Sequence, residues 1–310
     1  MIGAASLVVS LALGLCTDPY VRTRADNTIC PTATTAKCLW WQGGSVVTFQ
    51  QSDFGNPATP NSPASVFNAV TTSWQSWQSI MNDCGSLTIQ EGPHTTDRTI
   101  GYNQSSSNNA NVVVFRQRTC SPPLVAQTDP CYTDSSCGNT YDCWEHDSRT
   151  IALTTTTFDK NTGRILDADI ELNGQAPGGQ GGFRFTTVNS PVCPDISTSY
   201  NCVATDIQNT ATHEFGHSLG LDHTAYPGST MAERASPGET SKRNIDSGSR
   251  QFVCDVYPKA RAASADCTVN TNPSSSHSGC SAVPGEPMAL LVLAGLGLRL
   301  FARRRARRID

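Results

Sequence analysis

Large apolar residues recur every three or four positions across residues 62–81, which is typical of a helix with one buried face. Ser62 and Pro63 begin this stretch and suit an N-cap and a first helical position. We therefore predict a helix whose tryptophans lie in the core rather than in a ligand site. Its apolar face comprises Val66, Phe67, Val70, Trp74, Trp77 and Met81.

Short segments rich in β-branched and aromatic residues predict strands on both sides of that helix. Two such segments flank the turn residues DKNTG within residues 150–173, which indicates a β-hairpin. Residues 121–147 are rich in proline, cysteine and glycine and indicate a loop held by disulfides, whereas residues 174–182 indicate a flexible connection. The other predicted elements are strands at 45–50, 86–92, 111–117 and 183–188, and helices at 205–219 and about 240–253.

The two ends of the chain differ from the middle in composition. MIGAASLVVSLALGLC is an apolar run of signal-peptide length, although a buried N-terminal helix is an alternative. Near the other end, an uncharged apolar run is shorter than the ~20 residues of a membrane-spanning helix, and an arginine cluster follows it. The predicted organisation is a signal peptide at 1–16, a polar segment at 17–36, a folded domain at 37–260, a flexible linker at 261–287 and a hydrophobic, arginine-rich sorting or anchor segment at 288–310.

Charge and cysteine content narrow the classes of function. The net charge is −4, and the last segment holds six arginines and one aspartate, a net of +5, so the remainder carries −9. An acidic body lacks the basic surface that nucleic acid requires, so we expect no nucleic-acid partner. Thirteen cysteines indicate disulfides and therefore an exported protein, either extracellular or associated with the cell surface or outer envelope.

Proximity along the chain suggests disulfide pairs without determining them. Cys131, Cys137 and Cys143 form a local trio whose spacing fits no common zinc knuckle, which favours disulfides over a zinc cluster. Lipidation of Cys16 is disfavoured because Leu15 precedes it where a small residue is expected. The pairs suggested by proximity are Cys30 with Cys38, Cys84 with Cys120, Cys193 with Cys202, and Cys254 with Cys267.

The stretch HEFGHSLGLDH carries the clearest chemical signal in the sequence. His213 and His217 lie four residues apart, so on a helix their imidazoles face the same way and can bind one metal ion. Glu214 is offset by about 100° and is free to act as a general base rather than a ligand. Gly220 tolerates a positive φ, so the chain can turn there and bring His223 to the same ion.

Three neutral histidines with one open position form a site typical of catalytic zinc. The alternative is a helix that carries histidines by coincidence. With six histidines in 310 residues, a chance match at all five fixed positions of the extended motif is on the order of one in 10⁵ or rarer. Zinc is therefore the expected cofactor.

At this motif, together with Met231, the chain resembles the metzincin zinc endopeptidases, whose HExxHxxGxxH motif precedes a methionine-containing turn. Within that group it is most similar to the matrixins, because Pro227 and Met231 follow His223 by four and eight residues. The segments DADIELN and NIDSGSRQFVCDVYP also resemble bacterial matrixins. The C-terminal GCSAVPGEP, apolar run and arginine cluster resemble the sorting tag of myxobacterial exported proteins, with Cys280 as the tag's cysteine.

The resemblance implies both a fold and a set of roles. The implied fold is the α+β or α/β metzincin (zincin) fold, a twisted mixed five-stranded sheet with about three helices and the HExxH motif on the active-site helix. The implied sheet is mostly parallel with one antiparallel edge strand, along which substrate extends. The implied site has zinc bound by His213, His217 and His223, Glu214 as general base, and Met231 beneath the metal without ligating it.

Three features depart from the matrixin pattern. MAER stands at 231–234, where matrixins have a tyrosine or proline that helps to wall the main specificity pocket. No tyrosine stands two residues after Met231, and no PRCGxPD-type cysteine switch is present. His94 and His146 lack a His-x-Asp pattern, so we expect isolated surface histidines rather than a structural zinc site.

Asp167, Asp169 and Glu171 are candidate ligands of a structural calcium ion. They alternate along a predicted strand, and alternate side chains of a strand point to one side. The alternative is a polar outer face of the sheet.

These features predict an exported, monomeric zinc endopeptidase that acts on protein or peptide substrates. The membrane is contacted only through the C-terminal segment. The alternative from another class is a surface adhesion or binding protein with a catalytically idle metzincin domain. The intact Glu214 counts against that alternative, because an idle site has no physical need for a base.

Overall fold

The computed structural model describes residues 4–7, 16–28, 37–54, 62–106, 109–175, 182–194 and 200–267. Most of the predicted signal peptide, most of the predicted linker, the sorting segment and much of the glycine-rich connection lie outside these residues. Within the described part, no helix combines the length and apolar character needed to cross a membrane.

One mixed sheet of six strands forms the scaffold of the described residues. The strands in chain order are β1 (Ala4–Leu7), β2 (Val21–Arg22), β3 (Val46–Gln51), β4 (Thr88–Glu91), β5 (Asn111–Arg116), β6 (Ala152–Asp159), β7 (Ile165–Asn173), β8 (Phe185–Thr186), β9 (Thr205–Asp206) and β10 (Leu221–Asp222). The sheet order is β1–β6–β7–β5–β3–β4, in which β4, β3, β5 and β7 run parallel and β6 pairs antiparallel with β7. The predicted mixed sheet and hairpin are therefore confirmed. Beyond the five predicted strands, β1 pairs antiparallel with the outer side of β6.

Three long helices and two short ones accompany the sheet in the described residues: α1 (Pro63–Cys84), α2 (Cys131–Asp134), α3 (Cys137–Tyr141), α4 (Ile207–Ser218) and α5 (Ser247–Val256). As predicted, α1 begins at Ser62, whose hydroxyl accepts the Ser65 N–H at 3.2 Å, followed by Pro63. The two short helices lie within the predicted loop at 121–147. The last helix begins later than predicted, because Asp246 caps it and residues 241–243 form a 3₁₀ turn instead.

The core lies between the helices and one face of the sheet. Ala168, Ile170 and Leu172 of β7 belong to this core. Because successive strand residues point to opposite faces, the acidic side chains of β7 lie on the other face of the sheet. On the helical side, the Trp77 indole N–H of α1 donates to the Thr212 carbonyl of α4 at 2.9 Å, which confirms a structural role for that tryptophan.

Disulfides join distant parts of the chain as well as local ones. The predicted pair Cys193–Cys202 is present. The other three pairs suggested by proximity are wrong, because two bonds join residues 229 and 170 positions apart whose Cα atoms lie 5.2 Å from each other in both cases. Proximity along the chain carries no information about such contacts. The other pairs in which both cysteines belong to the described residues are Cys38–Cys267, Cys84–Cys254, Cys120–Cys143 and Cys131–Cys137.

Candidate metal centre

Helix α4 carries the first two histidines of the HEFGHSLGLDH motif. It begins after Asp206, whose carboxylate accepts the Asn209 N–H at 2.7 Å. The helix packs against α1 and β6, and His213 and His217 are each only 7% exposed. Because buried polar groups require hydrogen-bond partners, the atoms around these two imidazoles determine their tautomers and whether they can bind a metal ion.

The turn after α4 returns the third histidine to the helix. Gly220 has a φ of +101°, and its N–H donates to the His217 carbonyl at 2.9 Å. A Cβ at this position would collide with the carbonyl oxygen of Leu39, so the turn requires glycine, as the sequence predicts. β10 then pairs with β2 and leads directly into His223.

The three imidazoles converge on one point. The Nε2 atoms of His213 and His217 lie 3.1 Å apart, those of His217 and His223 3.1 Å, and those of His213 and His223 3.2 Å. A tetrahedral zinc ion with bonds of about 2.0–2.1 Å separates its ligand nitrogens by ~3.3 Å, so this triangle fits one zinc ion. Among the described residues, these three form the one group of histidine, cysteine or acidic side chains whose ligand atoms gather closely enough to hold a metal.

Hydrogen bonds on the outer side of two rings determine their tautomer. Nδ1 of His213 lies 2.8 Å from the Thr230 carbonyl, and Nδ1 of His217 lies 2.8 Å from the Leu221 carbonyl. A carbonyl only accepts, so each Nδ1 carries the proton and each Nε2 presents a lone pair to the site. Burial lowers the pKa of His213 well below its ordinary value and lowers the pKa of His223 to about 2. Neutral rings with inward lone pairs are the form that binds zinc.

Met231 packs against α4 beside the histidines. It is fully buried, and its sulfur lies so close to Gly216 that a Cβ at position 216 would overlap it. Asp246, the cap of α5, accepts the Thr230 N–H at 2.7 Å. The methionine turn is therefore held by the start of α5, and Met231 packs against Gly216, which directly precedes His217.

Glu214 points toward the hairpin strand β6. Glu214 is 5% exposed, and the Thr154 hydroxyl donates to its Oε2 at 2.7 Å. Burial raises the pKa of Glu214, while the hydrogen bond from Thr154 and the charge of Lys242 oppose that rise. Sequence reasoning missed Thr154, because it lies in a run of four threonines whose residue type does not show which hydroxyl faces the helix.

Lys242, also missed from the sequence, is a buried cation close to the site. It lies in the 3₁₀ turn at 241–243, which packs against α4, and its side chain is 5% exposed. Its ammonium donates to the Arg234 carbonyl at 2.8 Å, and its backbone N–H donates to Asn209 Oδ1 at 2.8 Å. Burial lowers the pKa of Lys242, and its charge acts on Glu214. The MAER segment, where the chain departs from matrixins, is therefore tied to α4 through this lysine.

The N-terminal part of the described chain supports the loop that carries the third histidine. The Ala225 N–H donates to the Cys16 carbonyl at 2.8 Å, and the Thr224 hydroxyl lies 3.0 Å from the same carbonyl and 2.7 Å from that of Asp18. Cys16 is itself disulfide-bonded and buried. The predicted boundaries at residues 16 and 37 stay predictions, but residues close to the first of them contact the site.

The acidic residues of β7 lie on one face of the strand, as predicted. Asp169 accepts the N–H groups of Gly101 and Val112 at 2.6 and 2.8 Å. Burial raises the pKa of Asp167 to about 6 and raises the pKa of Asp169 well above its ordinary value. Asp167 Oδ2 and the Thr157 hydroxyl, on directly paired residues, are buried without a hydrogen-bond partner among the described residues.

Glu171, the third candidate calcium ligand, has protein partners on both oxygens. Its Oε1 accepts from Arg116 Nε at 2.6 Å, and its Oε2 lies 3.3 Å from His146 Nε2. Arg116 also donates to Asp142 at 2.9 Å. The acidic row therefore forms part of a buried hydrogen-bond and ion-pair network, and its oxygens do not gather around one point.

The prediction that His94 and His146 are surface histidines outside any structural zinc site is wrong about exposure for His146 only. His146 is half-buried against Glu171, as just described. His94 is exposed, but it lies 3.4 Å from Glu91 and 3.7 Å from Asp53. Folding brings acidic residues next to each ring, and no His-x-Asp pattern is needed for that. Neither histidine joins a group of potential metal ligands among the described residues.

Comparison with known proteins agrees with this geometry. The matrixin family model matches residues 138–258, which is less than half of the chain. The matched region holds the β6–β7 hairpin, α4, the three histidines, Met231 and α5. No curated protein matches the chain. The region that contains the histidine centre is therefore similar to the matrixins, and the match supports a matrixin-like metzincin and a zinc-dependent metallopeptidase.

Proposed function

We propose that this chain is a zinc-dependent endopeptidase that hydrolyses peptide bonds of extracellular proteins. The observation that carries the proposal is the convergence of three Nε2 atoms at 3.1–3.2 Å beside the buried carboxylate of Glu214. The matrixin match over residues 138–258 supports the same reaction class independently of the geometry.

Each residue of the site has a distinct role in hydrolysis. His213, His217 and His223 hold zinc, which when bound supplies a Lewis acid that polarises a carbonyl and acidifies water. Glu214 accepts a proton from the attacking water and delivers a proton to the leaving amine. Met231 supports the histidines from below without contributing a ligand.

The outer edge of β6 is the expected place for an extended substrate. β1 pairs antiparallel with residues 156–159 of β6, which supports the view that this edge accepts a further strand. Thr154, which contacts Glu214, lies on the same strand only two residues from Thr156. A peptide that extends along β6 therefore passes close to the catalytic carboxylate.

Export is supported by the five disulfides among the described residues, since such bonds persist in oxidising compartments. The signal peptide at 1–16 stays a prediction, and the contacts of the Cys16 carbonyl with Thr224 and Ala225 count against a cleavage that removes this residue. The monomeric state and the C-terminal sorting tag stay predictions. Calcium at Asp167, Asp169 and Glu171 also stays a prediction, and the partners of these carboxylates weaken it.

The test is metal content and proteolysis of the purified full-length chain. We expect one zinc per chain by elemental analysis, and cleavage of casein, gelatin or a peptide library that a zinc chelator abolishes. Glu214→Ala should keep zinc while its activity falls by about 10²–10⁴-fold or more, because the general base is lost. Glu145→Ala, which changes a half-buried glutamate in the disulfide-held loop, is the matched control.

Two outcomes contradict the proposal. Full activity of Glu214→Ala removes that residue from the mechanism. A zinc-loaded wild-type chain that cleaves no member of a broad peptide library favours the adhesion or binding protein with an idle site.

A further inference from the structure

Thr154 makes the closest side-chain contact to the Glu214 carboxylate. Its hydroxyl lies 2.7 Å from Glu214 Oε2 and 3.1 Å from the Glu214 carbonyl oxygen. A hydroxyl has one proton to donate, and the shorter contact goes to the charged acceptor, where a hydrogen bond is stronger. The proton of Thr154 therefore lies on Oε2.

This bond distinguishes the two oxygens of the carboxylate. Among the hydrogen bonds of the described chain, the Glu214 carboxylate has this one partner, and it involves Oε2 only. Oε1 is consequently the oxygen that remains available for exchanging protons with water and with a leaving group. A carboxylate held by one oxygen has lost most of its freedom to rotate, which is how a base becomes pre-oriented for reaction.

The strand that carries Thr154 is well placed to hold the carboxylate still. Thr154 is 4% exposed and pairs with Ile170 of the neighbouring strand β7. β7 is bonded in turn to β5, so the hydroxyl is fixed by the interior of the sheet rather than by a loop. Sites built on strands keep their geometry more closely than sites built on loops.

We infer that Thr154 is a positioning residue for the hydrolysis proposed above: its hydroxyl holds Oε2 of Glu214 and directs Oε1 toward the reacting water. The inference rests on the proposed function, because it assigns a role within that reaction. A merely structural role is the competing explanation, in which the hydroxyl only satisfies a buried carboxylate.

The two explanations differ in what a substitution changes. Thr154→Val keeps the shape of the side chain and removes the donor. If Thr154 positions the base, kcat falls about tenfold to a hundredfold, as expected for the loss of a hydrogen bond to a charged group, while KM and zinc content stay within about twofold. Thr154→Ser restores the donor and should recover kcat to within about threefold of wild type. A merely structural role predicts lower thermal stability with unchanged kcat per zinc-loaded molecule.

Thr48→Val is the control, because Thr48 is a strand threonine of the same sheet whose hydroxyl contacts Gln90 rather than Glu214. It removes a strand hydroxyl without removing the bond to Glu214, and it should leave kcat unchanged. If Thr154→Val does not fold, Thr154→Ala against Thr154→Ser gives the same comparison, with folding checked by zinc content and thermal midpoint.

The measurements separate this inference from the proposed function. Equal kcat for wild type, Thr154→Val and Thr154→Ser overturns the positioning role while leaving the endopeptidase intact. Equal losses for Thr154→Val and Thr154→Ser also overturn it, since serine carries the donor. A wild-type chain that binds zinc and cleaves nothing overturns the proposed function itself, before any variant of Thr154 is measured.

Discussion

The same kind of sequence pattern indicates the histidine centre at α4 and the acidic row on β7. The histidine centre comprises His213, His217 and His223, and the acidic row comprises Asp167, Asp169 and Glu171. In both, side chains that can bind metals repeat at the period of their element: four residues on the helix, and two on the strand. Both sets are buried in the folded protein except for His223, which is half-buried. They differ in where the ligand atoms point and in what already occupies them.

At the histidine centre the folded chain leaves the ligand atoms free and brings them together. The outer nitrogens of His213 and His217 are bonded to backbone carbonyls, and the inner nitrogens lie 3.1–3.2 Å from those of their neighbours. In the acidic row, the oxygens of Asp169 and Glu171 are bonded to protein N–H groups or ion-paired. Periodicity thus predicts a common face, and the partners of each atom decide whether a metal can bind there.

The largest expected effect is the loss of a histidine ligand. His217→Ala removes one corner of the Nε2 triangle, so the variant should lose stoichiometric zinc and its peptidase activity should fall to background. Elemental analysis and peptide cleavage measure the two effects. His94→Ala, which removes an exposed histidine outside the site, should change neither. Retention of one zinc per chain by His217→Ala would refute the ligand set.

The next largest effect concerns stability rather than activity. Arg116 is 1% exposed and pairs with buried Glu171, so Arg116→Met leaves a buried carboxylate without its main partner. The free energy of unfolding should fall by about 3–5 kcal/mol, measured by denaturant titration. Arg149→Met is the control, because the Arg149–Asp147 pair is exposed and should contribute almost nothing. If Arg116→Met and Arg149→Met have the same free energy of unfolding, the Arg116–Glu171 ion pair does not stabilise the acidic row.

A smaller effect is expected from pH. Burial raises the pKa of Asp167 from 3.8 to about 6, so the folded state retains a proton that the unfolded state has released. Stability should therefore fall as pH rises from about 4 through 6, and Asp167→Asn should remove about 1–3 kcal/mol of that dependence. The measurement is the free energy of unfolding against pH, with exposed Asp97→Asn as control. Identical slopes for Asp167→Asn and wild type would show that Asp167 does not carry the proton.

The smallest expected effect is that of added calcium. Because Asp169 and Glu171 already have protein donors, millimolar calcium should leave the thermal midpoint of the zinc-loaded chain unchanged within about 1 °C. Magnesium at equal concentration serves as the control for ionic strength. A rise in the thermal midpoint that only calcium produces and that Asp167→Asn abolishes would establish the acidic row as a second metal site. The acidic row and the histidine centre would then not differ in their ability to bind a metal ion.

The elements that sequence predicted well are those with strong local signals. Ser62 and Pro63 mark the start of α1, and the turn DKNTG separates β6 from β7. The convergence of the three histidines also follows from local geometry, because a helical turn and a glycine turn bring them together. The predicted start of the last helix at about residue 240 is wrong, because Asp246 caps α5 by accepting the N–H groups of Gly248 and Ser249.

Contacts between distant residues could not be predicted in this way. The Cys38–Cys267 bond spans nearly the whole described domain, and nothing near Cys38 in the sequence indicates its partner. Thr154 and Lys242 approach α4 from a hairpin strand and from a turn that lies after Met231. Their residue types are common at the surface, so only their burial and their partners identify them as part of the site.

By itself, the sequence predicted which residues converge as potential metal ligands, because the spacing HExxHxxGxxH places its donors through helix and turn geometry alone. The spacing of the apolar residues and the capping residues also predicted the hairpin and the helix that support these donors. The tertiary structure decided which oxygen of Glu214 is held, which cysteines pair and which acidic residues are already occupied. Those outcomes depend on packing between residues far apart in the chain, where a difference of an ångström decides whether a hydrogen bond forms.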